Sequence, residues 1–207
     1  EEADVAKRTI TQRVAAEARK RGVVVLGRKA WGSRERDVYA ARRRTRPHAL
    51  LPSKPVDTVW QHITVTRPSG NFRDDCRTVE RIGMERFGSG VSYNWLVDMA
   101  TGQVAIGQPL DAKGTHTVMD KPHPNYSHDQ NAVAIAIAVI GMPDTRLTVK
   151  GQQAISKLIA AHIAEGAVTP GFDYQPHSFA AHKDCPCEST RRLMPLIRSD
   201  AIKEAKK

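Results

Sequence analysis

Three residues that lie far apart in the sequence carry side chains of the kind that bind zinc. His62 lies in the segment TVWQHITVT, and the segment PHSFAAHKDCPC places His177 eight residues before Cys185. Imidazole and thiolate are ligands that zinc prefers, and a catalytic zinc site combines three protein ligands with one open position. Two ligands from one loop and a third from a rigid strand would supply that number.

The residue types alone leave other choices open. A single His inside a strand is more often a buried core residue than a ligand, so His62 needs partners to become a candidate. His182 is also close to Cys185, and Cys187 follows two positions later. On residue type, therefore, His182 competes with His177, and Cys187 competes with Cys185.

The predicted secondary structure puts His62 on a strand and the other two candidates in a loop. Runs of β-branched and aromatic residues predict strands, and apolar residues at helical spacing predict helices. The predicted strands cover residues 23–26, 58–66, 92–99, 103–106 and 131–141, and the predicted helices cover 3–21, 71–87, 148–165 and 188–207. Residues 113–130 and 171–187 are predicted loops.

The clearest predicted strand is NAVAIAIAVIG, residues 131–141. Side chains alternate across a strand, so Val133, Ile135, Ile137 and Val139 should share one face while only alanines occupy the other. A face of alanines lets a helix or a functional site approach the sheet closely. Strands interspersed with helices predict an α/β fold, with a central mixed β-sheet and helices packed on it.

The charge of the chain is strongly basic. Lys and Arg number 32 against 22 Asp and Glu, for a formal net charge of +10. A positive charge of this size favours polyanionic partners, such as nucleic acid or the acidic polymers of a cell wall. The alternative is that the charge serves only to keep the protein soluble. The basic run from Arg34 to Arg46 has few aromatic residues that could stack on bases, so we expect no specific nucleic-acid partner.

Cysteine usage and hydropathy exclude two further classes of protein. Cys76, Cys185 and Cys187 are too few, and odd in number, for a disulfide framework, which favours a reducing compartment or a role in metal binding. The longest apolar stretch, residues 132–141, is well short of the ~20 residues that cross a bilayer. We therefore expect no membrane span.

Four stretches of the chain, taken in order and spacing, resemble the zinc-dependent N-acetylmuramoyl-L-alanine amidases. This family includes phage lysozyme-type amidases and peptidoglycan recognition proteins. The similarity runs from about Val23 to Arg198, which is most of the chain. The matching stretches are LGRKAWGS, VDTVWQHITVT, SYNWLVDMATGQVAIGQ, and HSFAAHKDCPC followed by LMPLIR.

The resemblance implies a specific set of site residues. The zinc ligands of the family fall on His62, His177 and Cys185, because only this choice keeps the Lys and the Cys-Pro pair in register. The catalytic Tyr and Lys of the family fall on Tyr93 and Lys183. The zinc site should lie in a surface groove.

Further expectations concern the groove and the domains. We expect His116 and Trp95 to line the substrate groove. Some family members carry a Glu on the strand that here reads AVAIAIAVIG, so its absence excludes a general base there and resembles the subgroup that relies on Tyr and Lys. Residues 1–22 should form an N-terminal helical extension, and residues 23–207 the catalytic domain. A basic insert around residues 34–55 could lie along the glycan or an anionic wall polymer.

The resemblance also implies a function. It predicts hydrolysis of the amide bond between N-acetylmuramic acid and L-alanine in bacterial peptidoglycan, with Zn²⁺ as the cofactor. A non-catalytic peptidoglycan-binding module and a zinc endopeptidase that cuts the peptide crosslink are the alternatives. The composition and the lack of a secretory signal favour the amidase module of an actinobacteriophage endolysin. We expect a monomer, made in the host cytoplasm, that reaches the cell wall after the membrane is permeabilised.

Overall fold

A six-stranded mixed β-sheet forms the centre of the protein. The computed structural model describes residues 8–34, 55–88, 90–120, 122–126, 129–181 and 184–207. The strands are β1 (Val25–Leu26), β2 (Val56–Ile63), β3 (Trp95–Asp98), β4 (Val104–Ile106), β5 (Ile135–Ile140) and β6 (Val168–Pro176). Their order in the sheet is β1-β4-β3-β5-β2-β6. Among these strands β3 and β4 pair antiparallel, as the predicted hairpin, and the other neighbours pair parallel.

Six α-helices of the described residues accompany the sheet, so the predicted α/β fold is confirmed. Capping side chains explain where three of the long helices begin. Thr9 forms a capping box with Gln12, and the side chains of Asn71 and Thr148 accept hydrogen bonds from backbone N–H groups of the first turn. No helix in the described part of the chain is long and apolar enough to cross a membrane. The helices are α1 (Ile10–Lys20), α2 (Arg28–Trp31), α3 (Phe72–Phe87), α4 (Val149–Ala164), α5 (His177–Ala180) and α6 (Glu188–Glu204).

The two faces of the sheet differ in the size of their side chains. On one face, the aliphatic residues of β5 form the main core with α1, α4 and α6. On the other face β5 presents two alanines and Ile140, and both Ala138 and Ile140 pack in a second core with residues of α3. The predicted aliphatic face is confirmed within the strand, although Val133 lies before it and is exposed. The prediction that only alanines occupy the second face is wrong, because Ile140 lies there at the end of the strand.

One predicted loop is wrong. Residues 171–187 contain the second half of β6 and the helical turn α5. The Pro170–Gly171 pair indicates a loop in sequence, but β6 is an edge strand, where Pro and Gly are tolerated. The pairing of β6 with β2 shifts register in this region, between Val56 and Thr58, which accommodates the irregular sequence.

The N-terminal helix α1 packs into the main core. Its residues Ile10, Val14 and Ala18 are buried there beside residues of α4. The predicted boundary between an extension and a catalytic domain at residue 22 stays a prediction. Residues 1–7 and residues 35–54, which hold most of the predicted basic insert, lie outside the described residues.

A buried histidine between α4 and β3 makes the stability of the fold depend on pH. His162 is 1% exposed, its Nδ1 lies 2.7 Å from the carbonyl oxygen of Leu158, and its Nε2 accepts a hydrogen bond from Trp95 Nε1. Burial lowers the pKa of His162 to about 4, whereas an unfolded His titrates near pH 6.5. Between these two pKa values, therefore, the imidazole binds a proton in the unfolded chain but not in the folded chain.

We predict that this histidine lowers the free energy of unfolding by about 3 kcal/mol as the pH falls from ~6.5 toward 4. Urea unfolding at several pH values measures it, with His162→Gln as the comparison because it removes the titrating group. The free energy of unfolding of the variant should change less steeply across this range. Parallel pH profiles in the two proteins would contradict the assignment.

Candidate metal centre

Strand pairing places two of the predicted ligands side by side. In the parallel pair formed by β2 and β6, Gln61 lies opposite Pro176, so the next residues, His62 and His177, are neighbours. Their ring centroids are 4.4 Å apart. His62 is fully buried on the alanine face of the sheet, while His177 is partly exposed as the first residue of α5.

The side chain of Gln61 braces this pair from the opposite face of the sheet. Its Nε2 donates to the carbonyl oxygens of His62 and Ile137, and its Oε1 accepts from the hydroxyl of Tyr174. These bonds join β2 to β5 and to β6. Buried polar groups that are fully paired in this way hold a structure rigidly.

Cys185 completes the group from the loop after α5. Its Sγ lies 4.0 Å from His62 Nδ1 and accepts a hydrogen bond from the backbone N–H of Ile63 at 3.3 Å. The Cys is 8% exposed. The same Sγ lies 3.8 Å from the carbonyl oxygen of Ile63. The thiolate is the form of a cysteine that binds metals.

The three side chains fit a divalent metal ion. One ligand atom from each of His62, His177 and Cys185 lies within 4.8 Å of the other two. In a tetrahedral zinc site with bonds of ~2.0–2.3 Å, ligand atoms are about 3.3–3.8 Å apart, so a small contraction would complete the geometry. Three ligands leave the fourth corner open. The structure therefore contains a group that could hold a metal, and it consists of the three residues predicted.

The position of His62 indicates which of its nitrogens would face a bound metal. Nδ1 is directed toward Cys185, while Nε2 lies 3.2 Å from the hydroxyl oxygen of Thr117. A metal-bound imidazole almost always donates its second N–H to an oxygen. Thr117 was not among the predicted site residues, because nothing in a predicted loop distinguishes one hydroxyl from its neighbours.

Tyr93 lies against the candidate ligands. Its ring centroid is 5.0 Å from that of His62. Burial and then the charge of Cys185 raise the pKa of the Tyr93 hydroxyl above its usual range, so it remains a hydrogen-bond donor at neutral pH.

His116 also lies beside the group, with its ring centroid 5.7 Å from that of His62. The residue is 6% exposed, so its ring lies inside the protein at the edge of the centre. Burial, and then the charge of His177, lower the pKa of His116 to about 3, which keeps its imidazole neutral. Its predicted role at the substrate groove stays a prediction.

Trp95 does not line the groove, so this prediction is wrong. Trp95 pairs with Ile137 and points with it into the main core, where it is 0% exposed. Leu96 pairs with Ala138, which in turn pairs with His62, so the neighbour of Trp95 faces the site instead. The period of two along a strand reverses the face at every residue.

The competing candidate Cys187 has other partners in the structure. Cys187 contacts the hydroxyls of Ser189 and Thr190. Although burial opposes it, these hydrogen bonds lower the pKa of the Cys187 thiol. Within the described ranges, Cys187 is not a member of the metal-binding group. His182 and Lys183 lie outside the described residues.

Two cavities are candidates for the groove, and the lining of neither includes one of the three ligands. A cavity of about 330 Å³ is lined by Ser178 and Phe179, which directly follow His177 in the chain. A cavity of about 520 Å³ lies along α3 beside Arg34 and Arg77. We take the first as the candidate groove, because its lining continues directly from a candidate ligand.

Comparisons with known proteins identify the fold. No family model matches the chain, and no curated protein is significantly similar to it in sequence. Solved structures of peptidoglycan recognition proteins share its fold at low sequence identity, so the likeness shows the fold alone. Bumblebee PGRP-SA is 16% identical, with 83% of this chain and 93% of that chain covered and a TM-score of 0.66.

Two further structures match in the same way. Wild-type Drosophila PGRP-LB is 18% identical, with 86% of this chain and 94% of that one covered and a TM-score of 0.62. Human PGRP-IβC, solved in complex with glycosamyl muramyl pentapeptide, is 21% identical, with 84% and 93% covered and a TM-score of 0.63.

Metal binding should require the Cys of the group and not its neighbour. We predict that Cys185→Ser weakens zinc binding at least about 100-fold, because losing even an outer-shell partner of a ligand costs 10–100-fold. Cys187→Ser is the matched control, since its thiol is also buried but bonds to Ser189 and Thr190. Competition with a chromophoric chelator measures both affinities. Equal affinities in the two variants would remove Cys185 from the site.

Proposed function

We propose that this protein is a zinc-dependent N-acetylmuramoyl-L-alanine amidase. The observation that carries the proposal is the convergence of His62, His177 and Cys185, which arrive from separate elements in the order that the amidase motifs require. Tyr93 stands beside them at the position that the same motifs give to a catalytic Tyr.

Zinc is the metal that this donor set favours. Two imidazoles and one thiolate are its characteristic ligands, and three protein ligands are typical of catalytic rather than structural sites. A bound zinc supplies a Lewis acid and lowers the pKa of water at its open position toward ~7. The buried surroundings of His62 exclude bulk water and strengthen every charge interaction near the reacting group.

The protein's own residues would stabilise the charge that develops during amide hydrolysis. When a nucleophile attacks an amide carbonyl, negative charge accumulates on the carbonyl oxygen. The protonated hydroxyl of Tyr93, whose ring lies beside His62, would donate a hydrogen bond to that oxygen. The resemblance to the amidases assigns the same task to Lys183, which adds a positive charge.

Peptidoglycan is the substrate that best fits the fold and the charge. The fold is shared with peptidoglycan recognition proteins, one of which was solved with a muramyl pentapeptide. The net charge of +10 suits a polymer that carries carboxylates, and anionic wall polymers would be attracted in the same way. An origin in a phage endolysin, with action on the cell wall after the membrane is permeabilised, is part of this proposal.

Digestion of purified peptidoglycan tests the proposal. We predict that the zinc-loaded protein releases peptide stems that begin with L-Ala, identified by mass spectrometry, and that Cys185→Ser releases none. New amines within the stem or crosslink would instead identify an endopeptidase. Binding to peptidoglycan without any cleavage would identify a recognition module. Either of these outcomes would contradict the amidase.

The Tyr93 hydroxyl should serve catalysis and not metal binding. We predict that Tyr93→Phe lowers kcat by ~10²–10³, as expected for loss of one oxyanion donor, with zinc affinity unchanged. Tyr174→Phe is the control, because its hydroxyl bonds to Gln61 on the opposite face of the sheet. That variant should lose stability and lower kcat far less than Tyr93→Phe, because the hydroxyl it removes lies away from the reacting atoms. Normal turnover by Tyr93→Phe would exclude the hydroxyl from the reaction.

A further inference from the structure

The hydroxyl of Thr117 lies between two histidines of the candidate metal centre. Thr117 Oγ1 is 3.2 Å from His62 Nε2 and 3.1 Å from His116 Nδ1. The backbone N–H groups of His116 and Thr117 both donate to the side-chain oxygen of Asn131, which is 8% exposed. This amide fixes the loop, and so it fixes the hydroxyl between the two rings.

The number of protons in this chain decides its direction. A Thr hydroxyl has one hydrogen to donate, and a neutral imidazole carries one N–H and one acceptor nitrogen. If His62 binds a metal through Nδ1, its proton must lie on Nε2, which donates to Thr117. Thr117 Oγ1 has two acceptor lone pairs, so His116 Nδ1–H could also donate to it, but the hydrogen of Thr117 would then lack either ring as an acceptor. Donation from Thr117 to His116 Nδ1 uses that hydrogen, and it places the proton of His116 on Nε2.

The Nε2 atom of His116 has no hydrogen-bond partner among the described residues, although it is buried. A buried N–H without a partner is unfavourable, so a donor held in this state is typical of a site that receives a ligand. The backbone of Gly114 lies close to this edge of the ring, where a side chain would not fit. A Cβ at position 114 would lie 2.6 Å from His116 Cδ2 and 3.1 Å from Nε2.

We propose that Thr117 is a positioning residue that couples metal binding at His62 to the tautomer of His116. Metal binding at His62 Nδ1 directs the hydroxyl to donate to His116, and His116 then presents its Nε2–H as a donor to a carbonyl oxygen of the amide substrate. In the metal-free protein His62 can carry its proton on Nδ1, and the Thr117 hydrogen can turn back to His62 Nε2. The tautomer of His116 is then no longer determined. The substrate half of this inference rests on the proposed amidase function, whereas the tautomer does not.

The tautomer can be measured without any catalysis. In protein labelled with ¹⁵N-histidine, two-bond ¹⁵N–¹H correlation spectra show which ring nitrogen carries the proton, and the His116 signal is assigned by its loss in His116→Ala. In the zinc-loaded protein we expect His116 to be protonated on Nε2 alone. Protonation on Nδ1 in that state would overturn the inference. The decisive spectrum is that of the unsubstituted protein, so it does not depend on the folding of a Thr117 variant.

Variants of Thr117 separate its two effects. Thr117→Ser keeps the hydroxyl and should keep the wild-type spectrum, while Thr117→Val keeps the shape and should release His116 into a mixture of tautomers. We expect Thr117→Val to lower kcat/KM by 10–100-fold, the usual range for an outer-shell partner. A His116 spectrum that is unchanged in Thr117→Val would reject the relay. If the fixed tautomer is seen but peptidoglycan is not cleaved, the relay stands and the amidase proposal falls.

Discussion

Backbone hydrogen bonds between β2 and β6 hold His62 and His177 at neighbouring positions, and the rest of the centre depends on that pairing. The two histidines are separated by more than a hundred residues, so only the register of two parallel strands brings their rings within 4.4 Å. A slip of one residue would turn His62 to the opposite face of the sheet. Gln61 and Tyr174 resist such a slip, because their buried hydrogen bond joins the same two strands.

The contrast between the two faces of the sheet provides the space for the site. Bulky aliphatic side chains of β5 face three helices and supply most of the core. Ala138, the partner of His62 in the sheet, leaves room for the imidazole and for the Tyr93 ring above it. A large residue in place of Ala138 would fill the volume beside His62. One strand thus stabilises the fold on one side and accommodates chemistry on the other.

Some of this could be predicted from the sequence, because local patterns determine it. The capped helices, the β3–β4 hairpin and the two-faced β5 follow from short-range periodicity, and the ligands follow from residue type and motif order. The face of Trp95 was predicted wrongly, because the sequence shows that side chains alternate along a strand but not which of them face the core. The second half of the edge strand β6 was missed because Pro and Gly usually indicate a loop, although they are tolerated at a sheet edge. Thr117 was missed because its role arises from contacts across the fold that no local pattern encodes.

The proposed centre consists of two imidazoles and one thiolate that bind a single ion. X-ray absorption at the zinc edge of the loaded protein tests this directly, because it reports the number and type of bound atoms. We predict one sulfur at about 2.3 Å and two imidazole nitrogens at about 2.0–2.1 Å, with one further light atom. A shell without sulfur, or with two sulfurs, would contradict the assignment of His62, His177 and Cys185 as the ligands.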